Sequence, residues 1–317
     1  MQLMTNSDFQ LKIVQAAKII ANRKAESRIF KLSVKKRFDG FTLIDLYSQS
    51  FPHVPYSFWE TKILNGNLLL DGKKSSPLQK VKAGQITQHS VPPKEEPSVN
   101  FNIDLIHATD TYWVINKPSP LPVHAGGRYQ LNTLTNLLRT AFPNQGIHLI
   151  NRLDANTTGI VLVALNKEKA QLLGKQFENR EVTKTYLALV EGEAKHSHFL
   201  NEKSVGKLKT AAGGRALAEG KASQTEFEIL KKLPKNTLLK VTPHSGRTNQ
   251  IRLHLADLGL PIVGDLGYAQ PAYFETNPLT YPTDTLFLHA WKLTIIDQEK
   301  KVEFVAKPNE KWDYLLL

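Results

Sequence analysis

Cysteine is absent from the 317 residues. Its absence excludes disulfides, thiolate nucleophiles and every zinc site built on Cys ligands. Long apolar runs are missing too, and none approaches the about 20 residues that a bilayer span requires. The N-terminal stretch has neither the early basic segment nor the continuous apolar core of a secretory signal. No internal repeat or low-complexity tract interrupts the chain. Acidic residues are in deficit: 29 Asp and Glu face 41 Lys and Arg, a net charge of +12. Such an excess favours a polyanionic partner, nucleic acid before an anionic membrane surface. A cytoplasmic protein, monomeric and without membrane attachment, is the expectation.

What is present is enough for a sizeable core. Hydrophobic residues make up 41% and charged residues 22%, the balance of a globular protein. The length suits two domains, or one large domain with an appendage. Over residues 7–30, Phe9, Ile13, Ala16, Ala17 and Ile20 recur at helical spacing, which predicts an amphipathic helix docked on its own domain. From Ser33 to Pro92 the chain reads as a compact module. FTLIDLYSQSF and HVPYSFWETKILNG predict helices, NLLLDGKK a strand and turn, and LQKVKAGQITQHSV a strand pair. VPPKEEPSVN, rich in Pro and charge, reads as a linker. The expected organisation is a helical extension over 1–32, a small module over 33–92, a linker over 93–100 and a main domain over 101–317.

In the main domain, IDLIHATDTYWVINKP predicts two strands with a turn at Thr109–Thr111. LNTLTNLLRTAF and KEKAQLLGKQFENRE predict helices. TKTYLALVEGE, ASQTEFEILKKL, NTLLKVTPHSG, TLFLHAWKLTIID and KKVEFVAKP alternate as strands do. Many antiparallel-looking strands with few helices predict an α+β domain around a large mixed sheet.

Four polar islands sit against these apolar strands: Asn116–Gly127, Asn151–Gly159, Thr183–Gly192 and His244–Asp265. The second is the sharpest. Ile160–Leu165 is an unbroken apolar run, as in a strand covered on both faces, yet Arg152 and Asp154 stand at its entrance. Taken singly, each island has a bland explanation. An Arg-Leu-Asp triplet is usually a solvated ion pair, a Tyr in a strand is usually core with its hydroxyl at the rim, and a His on an apolar face is usually a satisfied structural group.

Taken together, in order from Lys117 to Ala290, the islands resemble the motifs of the RluA-type family of RNA pseudouridine synthases. Lys117, Pro118 and His124 match its first motif. Arg152, Leu153, Asp154, Thr157 and Gly159 match His-Arg-Leu-Asp-x-x-Thr-Ser-Gly. Lys184, Tyr186, Ala188, Val190 and Gly192 match its Lys-x-Tyr strand. Gly246, Arg247, Thr248, Gln250, Ile251, Arg252, His254, Pro261, Ile262, Gly264, Asp265 and Tyr268 match its last long motif, and Leu288, His289 and Ala290 its late Leu-His-Ala. Three departures matter: Asn151 and Asn249 stand where the family has His, and Ser245 where it has Thr. A His-to-Asn exchange keeps hydrogen bonding and removes a possible charge.

The resemblance implies a pseudouridine synthase fold: a large, mixed, mostly antiparallel sheet with flanking helices and a central cleft. The module over 33–92 is similar to the alpha-L RNA-binding motif domain. The implied activity is isomerisation of specific uridines in tRNA or large-subunit ribosomal RNA, an intramolecular reaction that needs no cofactor and no metal. By motif match Asp154, Tyr186 and Arg252 are the expected catalytic residues, with Arg252 on a strand pairing the Asp154 charge and Tyr186 stacking on the flipped base. Arg152, Lys117, His124, Thr157, Lys184, Arg247, Thr248 and Gln250 are the expected substrate-binding set. Arg152, on the same strand face as Asp154, competes with Arg252 as its partner. RNA is the expected partner, with Lys35, Lys36, Arg37, Lys73 and Lys74 of the small module against its backbone.

Other readings stay open on the residues alone. A catalytically inactive RNA-binding member of the family is the first alternative. A glycosidase using Asp154 and Asp265 is the second. A zinc deaminase is excluded by the missing Cys signature, and a His-only metal centre at His124, His254 and His289 lacks local ligand spacing.

Overall fold

The computed structural model describes the whole chain except residues 1–3, 24–26, 53, 93–94, 210–214, 218–219, 269–285 and 317. Positions 93 and 94 of the predicted linker therefore lie outside the described residues. Contacts divide the chain into two units, one of Arg23–Glu95 and one of Met1–Asn22 with Glu96–Leu317.

Helix α1 (Asn6–Ala21) starts where Thr5 caps it, accepting a hydrogen bond from the Asp8 amide, and its buried stripe is Phe9, Ile13, Ala16 and Ile20. The periodicity overran its end. Beyond it, Arg28–Ser33 is strand β1 of the smaller unit, so the helical extension expected over 1–32 divides between the two units. Exposed Ile29 and Phe30 on that edge strand carry no alternation to read, and pairing alone makes it a strand.

The smaller unit continues with α2 (Leu43–Ser50), α3 (Tyr56–Leu64), β2 (Leu68–Leu70), β3 (Lys73–Lys74) and β4 (Ile86–Val91). Its sheet runs β1-β4-β2-β3. The strand pair expected in LQKVKAGQITQHSV is a single strand, since only a lone bridge from Thr42 to Lys80 pairs the earlier half. Val34, Leu43, Leu46, Tyr47, Trp59 and Leu68 form a separate core. Lys35, Lys36, Arg37, Lys73 and Lys74 are all exposed.

The larger unit adds β5 (Asp104–Ala108), β6 (Tyr112–Lys117), α4 (Leu134–Ala141), β7 (His148–Leu149), β8 (Thr158–Ala164), α5 (Lys167–Glu178), β9 (Thr183–Glu191) and β10 (His198–Asn201). Then come β11 (Val205–Lys209), β12 (Arg215–Leu217), β13 (Gly220–Lys221), β14 (Thr225–Lys232), β15 (Asn236–Pro243), α6 (Gln250–Asp257), β16 (Leu288–Asp297) and β17 (Lys300–Val305). A ten-stranded sheet runs β10-β14-β15-β9-β16-β8-β6-β5, with β17 on β16 and β7 on β8. Among the described pairings of this mixed sheet, β16 with β8 is parallel and the others are antiparallel.

The apolar run of β8 has a direct cause. Val161 and Val163 pack with Phe9, Trp113 and Leu137 on one face. Ile160, Leu162 and Ala164 pack with Tyr112, Leu173 and Ile295 on the other. A strand covered on both sides needs no polar alternation. Gly159 opens it at φ 112°, where a Cβ would lie 2.2 Å from the Ala290 carbonyl oxygen. Only glycine admits so close an approach of β16.

His289 locks that junction. Its ring is fully buried, with Nε2 donating to the Ala306 carbonyl at 3.1 Å and Nδ1 accepting from the Thr158 hydroxyl at 2.7 Å. Burial, reinforced by Lys311 and partly opposed by the Ala306 bond, lowers its pKa to about 4. Because the unfolded chain protonates first, the His289 contribution to stability is complete above about pH 6.5, falls as pH drops from there to about 4, and levels off below. The expected loss across that window is about 3 kcal/mol. Urea titrations of wild type and His289→Gln at matched pH should show a shallower pH slope in the variant. Parallel slopes would refute this account.

Candidate active site

Three segments of the larger unit converge on a cavity of about 340 Å³: the loop before β8, the Lys184–Tyr186 part of β9, and the turn from β15 into α6. Asp154, Tyr186 and Arg252, which the sequence places far apart, all line it. So do His124, Arg152, Thr157, Lys184, Arg247, Thr248 and Gln250.

The loop carrying Asp154 is irregular, which corrects the expected strand face shared with Arg152. It is held by backbone bonds: Ile150 N–H donates to Leu162 O at 2.9 Å, and Thr157 N–H to Asp154 O at 3.1 Å. Asn151 ties it further, donating to Ile160 O at 3.0 Å and accepting from Leu162 N–H at 2.8 Å. The side-chain amide thus imitates one more residue of sheet against β8. Lys117 is fully buried and does not line the cavity. Its ammonium donates to the carbonyls of Pro118, Leu121 and Ala155 at 2.9, 2.8 and 3.2 Å. The position expected to bind substrate therefore clamps the residue that follows Asp154.

Arg252 lies on α6, which corrects the expected strand. Ile251, Leu253 and Leu255 alternate with Arg252 and His254 as strand residues would. The segment is nonetheless helical, and Gln250, Ile251, Leu253, His254 and Leu255 are all buried. Neighbours surround it, so no single apolar stripe marks it as a helix.

The Arg252 fork grips Asp265 with Nε and Nη2 at 2.8 and 2.7 Å. Its remaining nitrogen, Nη1, reaches Asp154 Oδ2 at 3.4 Å. Burial works against the guanidinium charge, but the hydrogen bonds and charge of Asp265, with Asp154 behind them, hold its pKa above the ordinary arginine value. The two carboxylates are not equivalent. The Asp265 side chain is 1% exposed, and it also accepts from the amides of Gly267 and Tyr268. The Asp154 side chain is 26% exposed and faces the cavity. Asp154 can meet a ligand; Asp265 holds the arginine. That division disfavours a glycosidase pair, whose second carboxyl must also reach the substrate.

Tyr186 stands on β9 between Val241 of β15 and Ala290 of β16. Burial, and then the Asp154 charge, raises the pKa of its phenol, so the resting side chain is a neutral ring and a proton donor. Lys184 on the same strand donates to Ser245 O at 3.3 Å, and burial, then Arg180, lowers its pKa. Gln250 braces the 245–247 turn, its Oε1 accepting from the Ser245 hydroxyl at 2.7 Å and the Arg247 amide at 3.1 Å. Its own amide nitrogen donates to Gln224 O and Thr225 Oγ1, so Gln250 shapes the wall from behind. Arg152 is exposed at the rim.

His124 meets Thr135 Oγ1 through Nδ1 at 2.9 Å, while that hydroxyl donates to Val123 O at 2.6 Å. Nδ1 therefore carries the proton, leaving Nε2 as an acceptor. Burial first, then Arg152 and Arg139, depresses the His124 pKa. His254 is bound to Thr225 and Lys203 O, and His289 is engaged as above. Among the described residues no His, Asp and Glu cluster is arranged to hold a metal ion.

Two polar atoms in the cavity wall, Arg247 Nε and Thr157 Oγ1, are buried without a hydrogen-bond partner. Buried polar groups are rarely left so unless something else satisfies them, and a ligand in the cavity would do it. Three residues of the site lay outside the expected catalytic and substrate-binding set: Asp265, weighed only as half of a glycosidase pair, Tyr268 and Asn249. The first two carried a signal as motif matches, whereas Asn249 was visible only as a departure. Amide oxygen and nitrogen are alike in shape, so hydrogen bonding decides their orientation. With nitrogen toward Asp154, Asn249 donates to Oδ2 at 2.7 Å and Oδ1 at 3.1 Å, and its oxygen accepts from the Tyr268 hydroxyl at 2.7 Å.

Comparison with known proteins bears on the chain as a whole. The model of the RNA pseudouridylate synthase family matches residues 111–257. A ribosomal large subunit pseudouridine synthase C from Vibrio parahaemolyticus is 30% identical over 273 residues, covering 82% of this chain and 83% of its own. The mitochondrial tRNA pseudouridine(32) synthase of Saccharomyces cerevisiae is 30% identical over 255 residues, 78% of this chain and 54% of that protein. The solved structure of human RNA pseudouridylate synthase domain containing 1 superposes with a TM-score of 0.54 at 29% identity, covering 68% of this chain and 86% of that one.

Proposed function

Because the chain belongs to the RluA-type family of RNA pseudouridine synthases, we propose that it isomerises specific uridines of a structured RNA, with Asp154 as the catalytic carboxylate. The supporting observation is a partly exposed carboxylate beside an arginine and a buried phenol, in a cavity whose wall holds unsatisfied donors.

The reaction breaks the bond from ribose C1′ to uracil N1, turns the ring, and forms a bond from C1′ to C5. C5 loses a proton and N1 gains one, so the atoms balance with no external group. Inside a folded RNA the uridine must first leave its stack, which costs a few kcal/mol. Stacking on Tyr186 returns about 1–3 kcal/mol. Asp154 then acts on the ribose or the ring as nucleophile or base, and Arg252 sets a positive charge beside it, 3.4 Å from Oδ2. Arg247, Thr157, Lys184, Thr248 and the His124 Nε2 acceptor surround the nucleotide, while Arg152 at the rim meets backbone phosphate.

The relatives named above act on tRNA or on large-subunit ribosomal RNA, and both are candidate substrates here. No described helix is long and apolar enough to cross a membrane. Mapping pseudouridines in total RNA from cells with and without this chain tests the proposal. One or a few sites should be lost from tRNA or large-subunit ribosomal RNA, and identical maps would overturn it.

A further inference from the structure

We propose that Asn249 is a positioning residue for Asp154, one that orients the carboxylate at every working pH because its amide does not titrate. The inference rests on the proposed function and deepens it. Asn249 is the residue before α6 and sits at φ 57°, a left-handed conformation that Asn tolerates better than most side-chain-bearing residues. That backbone turn aims the side chain across the cavity. The amide nitrogen donates to the carboxylate, lying 2.7 Å from Oδ2 and 3.1 Å from Oδ1, and the amide oxygen takes the Tyr268 hydroxyl at 2.7 Å. The opposite orientation would set a carbonyl oxygen against a carboxylate. Tyr268 thus fixes which way the amide faces, and the Arg252 guanidinium, 4.8 Å from the Tyr268 ring centroid, holds that ring in turn.

The groups facing the Asp154 carboxylate are therefore Arg252 from α6, Asn249 from the turn, and the Tyr186 phenol from β9. A histidine at 249, as in the motif this chain resembles, would place a titrating donor in that ring of contacts. An amide removes the titration and keeps the donors.

The test uses four variants of the full chain against a substrate RNA that wild type modifies. Asn249→Gly removes the amide while suiting the left-handed backbone, so loss of fold does not confound it. Its kcat should fall by about a hundredfold, the usual effect of removing one donor from a charged centre, with KM changed much less. Tyr268→Phe should cost about fivefold, the effect of one neutral hydrogen bond. The double variant should be no slower than Asn249→Gly alone, because the hydroxyl acts through the amide. Asn249→His should retain turnover but acquire a pH dependence with a midpoint near 6.5 that wild type lacks. Wild-type kcat in Asn249→Gly, or additive losses in the double variant, would overturn the inference.

A second measurement needs no turnover. In protein labelled with 15N-asparagine, the side-chain resonance missing from Asn249→Gly should shift in both Asp154→Asn and Tyr268→Phe. A resonance indifferent to both changes would sink the relay even in an active enzyme. Failure of wild type to form pseudouridine would instead count against the proposed function, and the resonance would still judge Asn249.

Discussion

Asp154→Asn should abolish pseudouridine formation by at least about ten-thousand-fold, some 5 kcal/mol of barrier, while leaving RNA affinity within a few-fold of wild type. The exchange is isosteric. The remaining carbonyl oxygen can still accept from Arg252 Nη1, as Asp154 Oδ2 does at 3.4 Å. The loop is held by the Lys117 clamp, Asn151 and the Thr157 amide rather than by the carboxylate. What disappears is the negative charge and with it any nucleophile or base at that point. Turnover and RNA binding measured separately on the same preparation decide the matter. Equal product from both proteins would move the chemistry off Asp154. Equal RNA binding with no product from either would favour the catalytically inactive, RNA-binding alternative.

Arg252→Met should act on stability and activity together. The buried Asp265 carboxyl would lose its cation and, among the described residues, be left with the Gly267 and Tyr268 amides as donors. Breaking one side of a buried pair costs about 3–5 kcal/mol. Turnover should also drop by about a thousandfold, since Asp154 loses its neighbouring cation. Adding Asp265→Asn separates the two effects. The double variant removes the orphaned charge, so most of the stability should return in denaturant titration while activity stays low. Recovery of turnover along with stability would show that Arg252 serves only Asp265. Arg252→Lys should rescue poorly, because one ammonium cannot hold both oxygens of Asp265 and still reach Asp154.

Much of the architecture was legible because burial writes periodicity into a chain. The run behind Asp154 is apolar on both faces because α1 and α4 cover one side and α5 lies on the other. The alternation in Thr225–Lys232 marked a half-buried strand, confirmed by its pairing with β15. Where burial was two-sided or absent, the pattern failed. Encased α6 imitated a strand, and exposed β1 was absorbed into the helix before it.

The amino-acid sequence by itself determined most strands of the main sheet, though not the short β7 and β10, together with the cast of motif residues and the family to which they belong. Those properties follow from local periodicity and from residue identities in order. Only the tertiary structure decided the partnerships. It gave the Arg252 fork to Asp265 and its edge to Asp154, turned Lys117 away from the cavity, and made Asn249 a contact of the carboxylate. A hydrogen bond depends on where two side chains end in space, and spacing along a chain does not encode that until the sheet brings its edges together.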